Sequence, residues 1–392
     1  MSRRDLAVPL AGAGALCAGL GLARFAYVPL FPALVAAGWV DGAQAGLLGA
    51  CNFTGYLLGA LGGRGLGRRL GVPAALDLGM GLVVLAFLAC ALPWGLAWLG
   101  LWRGLAGVAG GVLMGLAGPA VQAVVPPAQR GAAGGIVVSG VGAGVVLGAL
   151  AVPALHPVGV AGSWLGLAVL GALLWLPLRR FWPNPPAAEI THRPGGLAVP
   201  RAWLLLLAYG LSAAGMTAPM VYLADLGVRG RGLGPAAVAL LWVLFGLGGI
   251  AGTLAGGRIA GRLGGRRTLT AWAAVQVVAL SATLLPGAAM VLLAAPVCGF
   301  SGVGISAVAL AAARERASAA AGQLWVRATA IYALAQAGTG FVLAALFHAT
   351  GDSHAAVFGV GLGLSVGALL AALADEWVAR AAVRRVPVSR TG

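Results

Sequence analysis

Gly63-Arg64-Gly65-Leu66-Gly67-Arg68-Arg69-Leu70-Gly71 returns, roughly half a chain later, as Gly257-Arg258-Ile259-Ala260-Gly261-Arg262-Leu263-Gly264. Each copy joins two apolar runs, and a run of about 20 such residues is long enough to cross a bilayer as a helix. A second pair keeps nearly the same offset: Gly144-Val145-Val146-Leu147-Gly148-Ala149-Leu150 recurs as Gly340-Phe341-Val342-Leu343-Ala344-Ala345-Leu346. Two repeats at one offset predict two related halves, and parallel repeats in a membrane chain place a binding region between them, near the bilayer midplane.

Outward from these segments the apolar runs fall near 6–37, 43–63, 72–92, 95–119, 132–154, 161–178, 202–226, 235–257, 268–285, 287–312, 324–348 and 355–378. The 392 residues are 60% hydrophobic and only 9% charged, which excludes a water-soluble domain, since too much apolar surface would face water. About 33 residues per span and connection fill the length with twelve spans. The expected fold is therefore all-α and polytopic, with twelve transmembrane helices in two pseudo-symmetric six-helix bundles. The one sizeable polar interruption, Arg179 to Arg201, carries Arg179, Arg180, Pro183, Pro185, Pro186, Glu189, His192, Arg193 and Pro194. It predicts a linker at 179–201 between a first bundle at 1–178 and a second at 202–392. The 66 glycines have no three-residue period and sit within apolar runs, where small residues let helices approach closely. Gly55, Gly59, Gly63 and Gly248, Gly252, Gly256 fit such contacts within the chain. The first run is too long for a signal segment and lacks a cleavage site, so it is expected to stay as the first span.

All 25 basic residues are arginine, and the net charge of +16 first suggests a nucleic-acid partner. Their positions exclude it. Arg64, Arg68, Arg69, then Arg130, the linker, Arg258, Arg262, Arg266, Arg267, then Arg314, Arg316, and finally Arg380, Arg384, Arg385 and Arg390 occupy every second gap. This is the arginine bias of cytoplasmic loops, and it predicts both termini in the cytoplasm. The alternate gaps hold Asp41, Asp352 and His354, and only the gap after the seventh run, with Asp225, Arg229 and Arg231, breaks the pattern. Cys17, Cys51, Cys90 and Cys298 lack metal-ligand spacing and read as small packing residues. No metal or cofactor is expected. Trp39, Trp94, Trp98, Trp182 and Trp203 fall at predicted span ends and suit an interfacial belt.

These features resemble the major facilitator superfamily. The glycine-arginine segments are similar to its signature between the second and third helices, although the usual acid is replaced by Arg68 in one copy and Gly261 in the other. In the family that acid belongs to a cytoplasmic gating network, so the resemblance assigns gating to Arg64, Arg68 and Arg258, with Asp77 as a substitute partner. Leu99, Arg103, Gly107 and Gly111 match the fourth-helix motif, whose arginine is associated with coupling or substrate handling. Gly140, Gly144 and Gly148 resemble the glycine-rich antiporter motif of the fifth helix without its glycine-proline pair. Gly21-Leu22-Ala23-Arg24-Phe25-Ala26-Tyr27-Val28-Pro29-Leu30 and Asn52-Phe53-Thr54-Gly55-Tyr56-Leu57-Leu58-Gly59-Ala60-Leu61 resemble the YbfB/YjiJ branch. The resemblance implies a secondary transporter of the bacterial inner membrane that works by alternating access, with protons as the default coupling ion.

Arg24 falls near the middle of the first run, where a charge costs at least about 2.5–3.5 kcal/mol on insertion scales. It needs an internal acceptor, a water-filled cavity or an anionic substrate; the structural alternative is hydrogen bonding to carbonyls freed near Pro29 and Pro32. Arginine suits carboxylate or phosphate through two parallel donors. Arg103 either serves coupling or reaches outward to the membrane interface. Asn52, Thr54 and Tyr56 either line a cavity or bond between helices, and Tyr27, Gln122, Tyr209, Tyr222, Gln276, Tyr332 and Gln336 are further polar groups that must find partners. The substrate set is accordingly Arg24, Tyr27, Asn52, Tyr56, Gln122, Tyr222 and Gln336, and the coupling set Arg103, Asp77, Arg64, Arg68, Arg258 and Asp225. Without a lysine there is no phosphate-binding loop of the Gly-Lys type, so a gradient rather than ATP is the expected power source. Acids sit near run ends, leaving Asp225, the substrate or no protein group to carry a proton. The expected activity is transport of a small solute, an organic anion as first choice, by a monomer. Efflux of hydrophobic or cationic compounds is the alternative within transport, and a non-transporting sensor or scaffold the alternative outside it. No convergent catalytic set points to an enzyme.

Overall fold

The computed structural model describes residues 3–126, 129–185, 202–317 and 320–384. Among them there is no strand, and ten stretches are long and apolar enough to cross a membrane. One of those, Ala132–Phe181, comprises two helices, and the more polar helix Gly265–Leu284 is additional. Twelve spans result: Arg3–Ala36, Gly42–Leu70, Val72–Cys90, Leu96–Val124, Arg130–Leu155, Gly159–Leu178, Trp203–Asp225, Pro235–Leu263, Gly265–Leu284, Ala288–Ala317, Ala321–Ala349 and His354–Arg384. Most of the expected linker, residues 186–201, lies outside the described residues, as do Arg385 and Arg390.

Short connections force neighbouring spans to alternate in direction. Gly71 and Gly264, at φ 82° and 88°, make the two tight reversals within the repeated glycine-arginine segments, a conformation that glycine adopts without steric cost. One face thus gathers the arginine-rich connections, and the opposite face gathers the rest.

Glycine sets the packing. A Cβ at Gly55 or Gly59 of the second span would strike the backbone of Gly104 or Val108 in the fourth, and Gly107 and Gly111 return the contact to Asn52 and Tyr56. In the second half Gly248 and Gly252 meet Pro296 and Phe300 of the tenth span. Gly140, Gly144 and Gly148 seat the fifth span against Ala13, Cys17 and Ala26 of the first. The halves meet through the second and eleventh spans, where Gly340 lies on Ala50, and through the fifth and eighth, where Gly246 lies on Val145. Leu58, Leu61, Leu78, Leu85, Leu173 and Leu293 point outward as the lipid-facing surface.

The first span is not one regular helix. Regular α-helix covers Arg3–Leu16 and Tyr27–Ala36, and a π-helical segment, Cys17–Phe25, lies between them. The seventh span likewise runs into a π-helical segment, Leu226–Gly230. π-helical turns are uncommon and occur mostly at functional sites.

Candidate functional site

The π-segment of the first span carries Arg24 into the contact between the halves. Its Nη2 donates to Gln336 Oε1 of the eleventh span at 2.6 Å and lies 3.8 Å from Met220 Sδ of the seventh. The guanidinium carbon stands 4.3 Å from the centre of the Phe53 ring and 5.4 Å from those of Phe25 and Tyr56. Aromatic faces attract a desolvated cation, so the first and second spans supply rings while the second half supplies neutral acceptors. Arg24 is 8% exposed, and its Nε has no hydrogen-bond partner. The partner is an amide rather than the carbonyls near Pro29 and Pro32 that the proline spacing suggested. The Phe25 carbonyl, which Pro29 leaves without its helical donor, accepts instead from Trp242 Nε1 at 3.0 Å, and the Arg24 side chain reaches the other half.

From Gln336 a polar line continues. Its Nε2 lies 3.4 Å from Tyr332 Oη, the Tyr332 ring lies 4.7 Å from that of Tyr209, and Tyr209 Oη donates to Ser306 Oγ at 3.0 Å. Tyr332, Ser306 and Trp325 are half-buried, on the side of Arg24 that leads to the arginine-rich face.

Arg103 is placed differently from an interfacial arginine. It is 1% exposed, donates through Nη1 to Ala23 O at 2.6 Å, and lies 4.3 Å over the Tyr27 ring and 5.9 Å from Trp164. Its motif position is next to the π-segment, which it clamps one residue before Arg24. Asn52 ties the second and fourth spans by donating to Arg103 O at 3.1 Å, and Thr54 bonds Ala50 O in its own helix. Tyr27 donates to Ala45 O at 2.6 Å. Tyr222 is buried, packs at 5.6 Å on Phe31 and 4.8 Å on Phe347, and leaves its hydroxyl unpartnered.

Several expected members stand elsewhere. Gln122 is exposed near the end of the fourth span, Leu96–Val124, at the arginine-rich face, about three helical turns beyond the middle of that span. Gln276 is held by Ser212 and Ser365 within the second half. Asp77 does not serve the repeated loop: it binds Arg179 at 3.0 Å and accepts from Trp175 and Trp182 at 2.7 and 2.9 Å. Trp182 is therefore a buried donor rather than part of the interfacial belt. Arg64, Arg68 and Arg258 are exposed, and among the described residues no salt bridge joins them to a carboxylate. The charge network on that face instead joins Arg266 to Glu315 and Asp375, and Arg316 to Asp375, at 3.3–3.7 Å. Phe53 and Met220 were not assigned a role from sequence, because a single apolar side chain in an apolar run carries no periodic signal.

Asp225 lies at the opposite face, fully buried, and is engaged by Arg229 through two bonds of 2.7 Å and by His354 Nε2 at 2.8 Å. A separate cavity of about 380 Å³ lies towards that same face, lined mainly by apolar groups including Pro29, Pro32, Val152, Pro153 and Val238, with His156 and Ser163 among them. Arg24 and the other expected substrate residues do not line it.

The sequence matches the family described as "Uncharacterised MFS-type transporter YbfB" over residues 16–373. The chain belongs to this family. As an MFS-type transporter it shares its fold with solved structures of low sequence identity. A bacterial homologue of the human lysosomal transporter Spinster, in an inward-facing and occupied conformation, aligns over 97% of this chain and 98% of its own, with a TM-score of 0.71 and 16% identity. The xylose transporter XylE from E. coli, partially occluded and inward open, aligns over the full length of both chains with a TM-score of 0.73 and 16% identity. The nucleoside transporter NupG aligns over 95% of this chain and 99% of its own, with a TM-score of 0.71 and 12% identity. No curated protein sequence matches the chain. The twelve spans of this MFS-type transporter are thus arranged as in those solved structures.

Proposed function

We propose that this MFS-type transporter carries a small organic anion across the inner membrane by alternating access, with Arg24 as its anchor. The observation that supports this is a buried guanidinium, at the contact of both halves, which meets the neutral Gln336 and Met220 and whose Nε is unfilled. Desolvating a cation without an opposite charge is costly, and an arriving carboxylate would both supply that charge and occupy two donors of the fork. Gln336 would then yield its acceptor oxygen and turn its amide to the solute. Because Arg103 is committed to the Ala23 carbonyl and the Tyr27 ring, one cation is available, which favours a single negative charge. The half-buried Tyr332, Trp325 and Ser306 would form the approach from the arginine-rich face, which the positive-inside rule makes cytoplasmic.

The apolar cavity favours a second reading, efflux of a hydrophobic compound, since ligand sites are mostly apolar with few polar groups. One experiment separates them. Thermal-shift binding of the purified transporter to small carboxylates, phosphates, neutral metabolites and lipophilic cations is compared with Arg24→Ala and Arg24→Lys. Stabilisation by monocarboxylates, lost in Arg24→Ala and weakened in Arg24→Lys, is expected. Stabilisation by lipophilic cations, or an anion response indifferent to Arg24, would move the site to the apolar cavity.

A further inference from the structure

At the arginine-poor face four ionisable side chains from three elements converge. Arg229, on the π-segment that ends the seventh span, binds Asp225 of its own helix and donates from Nη1 to Asp352 Oδ2 at 2.8 Å. His354, the first residue of the twelfth span, binds Asp225. Asp352 holds a positive φ of 63°, the left-handed conformation that aspartate and asparagine tolerate best among residues with a side chain. The Phe347 ring covers the group, 5.2 Å from His354 and 5.7 Å from the Arg229 guanidinium.

The cluster belongs to the second half, yet the first half seals it. Gly42 opens the second span, behind the Asp41–Gln44 capping box, and lies so close that a Cβ there would meet Asp352 Oδ2 and Arg229 Nη2. Four residues on, Gly46 rests on Tyr222. Any opening of this face must lift the second span off Arg229 and Asp352.

Charge counting gives the consequence. With His354 neutral, two carboxylates face one guanidinium, and the sealed cluster holds a surplus negative charge; a proton on His354 balances it. The other ionisable groups nearby do not fill that role. Among the described residues Arg231 forms no salt bridge with Asp225 or Asp352 and donates to the Gly230, Thr283 and Leu285 carbonyls, Asp41 caps the second span, Tyr27 bonds Ala45 O, and Tyr222 is a phenol. Histidine is the side chain whose charge ordinarily changes between about pH 5 and 8.

We propose that Asp225, Arg229, Asp352 and His354 form a proton-binding site that locks the arginine-poor face shut. The proton sits on His354 and is shared with Asp225. Asp225 is fully buried and His354 only 13% exposed, whereas Arg229 and Asp352 keep about a third of their side chains exposed; imbalance costs most around the buried Asp225–His354 pair, so protonation favours the closed arrangement and its loss favours release of the second span, where water screens the surplus charge. The sign follows: acid on this side closes the face, and rising pH opens it. Nothing in the site depends on which solute is carried.

The test is pulsed electron-electron spin resonance on nitroxides at Leu92→Cys and Leu285→Cys, two exposed leucines on this face in opposite halves, with Cys17, Cys51, Cys90 and Cys298 replaced. Between about pH 5.5 and about pH 8.5 the short-distance population should fall several-fold and a longer one should grow. His354→Gln, which keeps an amide donor without a titrating charge, should give a distribution that no longer responds to pH. Asp352→Asn, suited to the same backbone, removes the surplus charge present with His354 neutral, so the short distance should persist at about pH 8.5 and the acid-favoured closure should be lost. A wild-type distribution that ignores pH, or a response that survives in His354→Gln, would overturn the proposal. If His354→Gln does not fold, Asp352→Asn decides alone, because an unaltered pH response in it has the same meaning. The measurement uses no solute, so its failure leaves the Arg24 reading untouched.

Discussion

Arg24 illustrates how a membrane protein keeps a charge where it is expensive. Three aromatic rings and one amide oxygen lower the cost without cancelling the charge, and it is this uncancelled charge that the proposed anion site rests on. That dependence is testable at the partner. Gln336→Glu places a carboxylate within hydrogen-bond reach of Nη2. It is expected to raise or preserve thermal stability, since a carboxylate gives the already buried guanidinium the counter-charge its neutral partners do not supply, while anion-dependent stabilisation falls at least tenfold because the pair is internally satisfied. Paired melting curves with and without monocarboxylate measure both effects; an anion response equal to wild type would remove Arg24 from the site. Arg103, expected to serve coupling, donates to Ala23 O and stacks on Tyr27, and so holds the π-segment that carries Arg24.

At the scale of elements, each of the two π-segments carries an arginine to a contact between the halves, Arg24 of the first span against Gln336 and Arg229 at the end of the seventh against Gly42. A wider turn rotates the following residues relative to a regular helix, which is how a mid-helix charge leaves its expected face. Glycine governs the remaining elements, and its role varies within a single helix. Gly59 faces the Val108 backbone, whereas Gly62, three residues on, has no neighbour near its Cβ position. Gly59→Ala should therefore destabilise by about 1–3 kcal/mol through overpacking, while Gly62→Ala should be neutral or stabilise by about 0.5–1 kcal/mol through helix propensity. Melting temperatures in one detergent suffice to compare them. Equal effects at both positions would mean that the second and fourth spans do not pack backbone to backbone.

For the whole molecule, the position of the contacts between halves decides which face is sealed. Phe31 on Tyr222, Gly42 on Asp352 and Gly46 on Tyr222 all lie on the arginine-poor side of Arg24. On the other side the terminal helix Arg3–Leu16 makes its principal contacts with the fourth, fifth and sixth spans of its own half. A thiol at Ser306→Cys, in a background without native cysteines, is expected to react with an impermeant maleimide several-fold faster in inside-out vesicles than in right-side-out vesicles. The reverse order would place the open path, and with it the approach to Arg24, on the opposite face.

Much of this was legible in the chain. Twelve spans follow from apolar length, since backbone groups in lipid must bond within a helix, and the two halves follow from the recurrence of Gly63–Gly71 at Gly257–Gly264. The importance of Arg24 follows from its depth alone, because no neighbouring residue can excuse a mid-span charge. Its partner could not be read in the same way: Gln336 is 312 residues distant, and a sequence of apolar helices does not state which faces meet. For that reason Gln122, as polar as Gln336, was expected at the site but lies near a helix end. Asp77 could be read as a loop partner although Trp175, Arg179 and Trp182 hold it, and Asp225 gave no sign that Asp352 and His354 would join it. Periodicity and hydropathy are local properties and fix which segments enter the membrane. Rotation of each helix about its axis, and so the company each buried charge keeps, is set by glycine contacts between distant spans and is decided only when all twelve pack together.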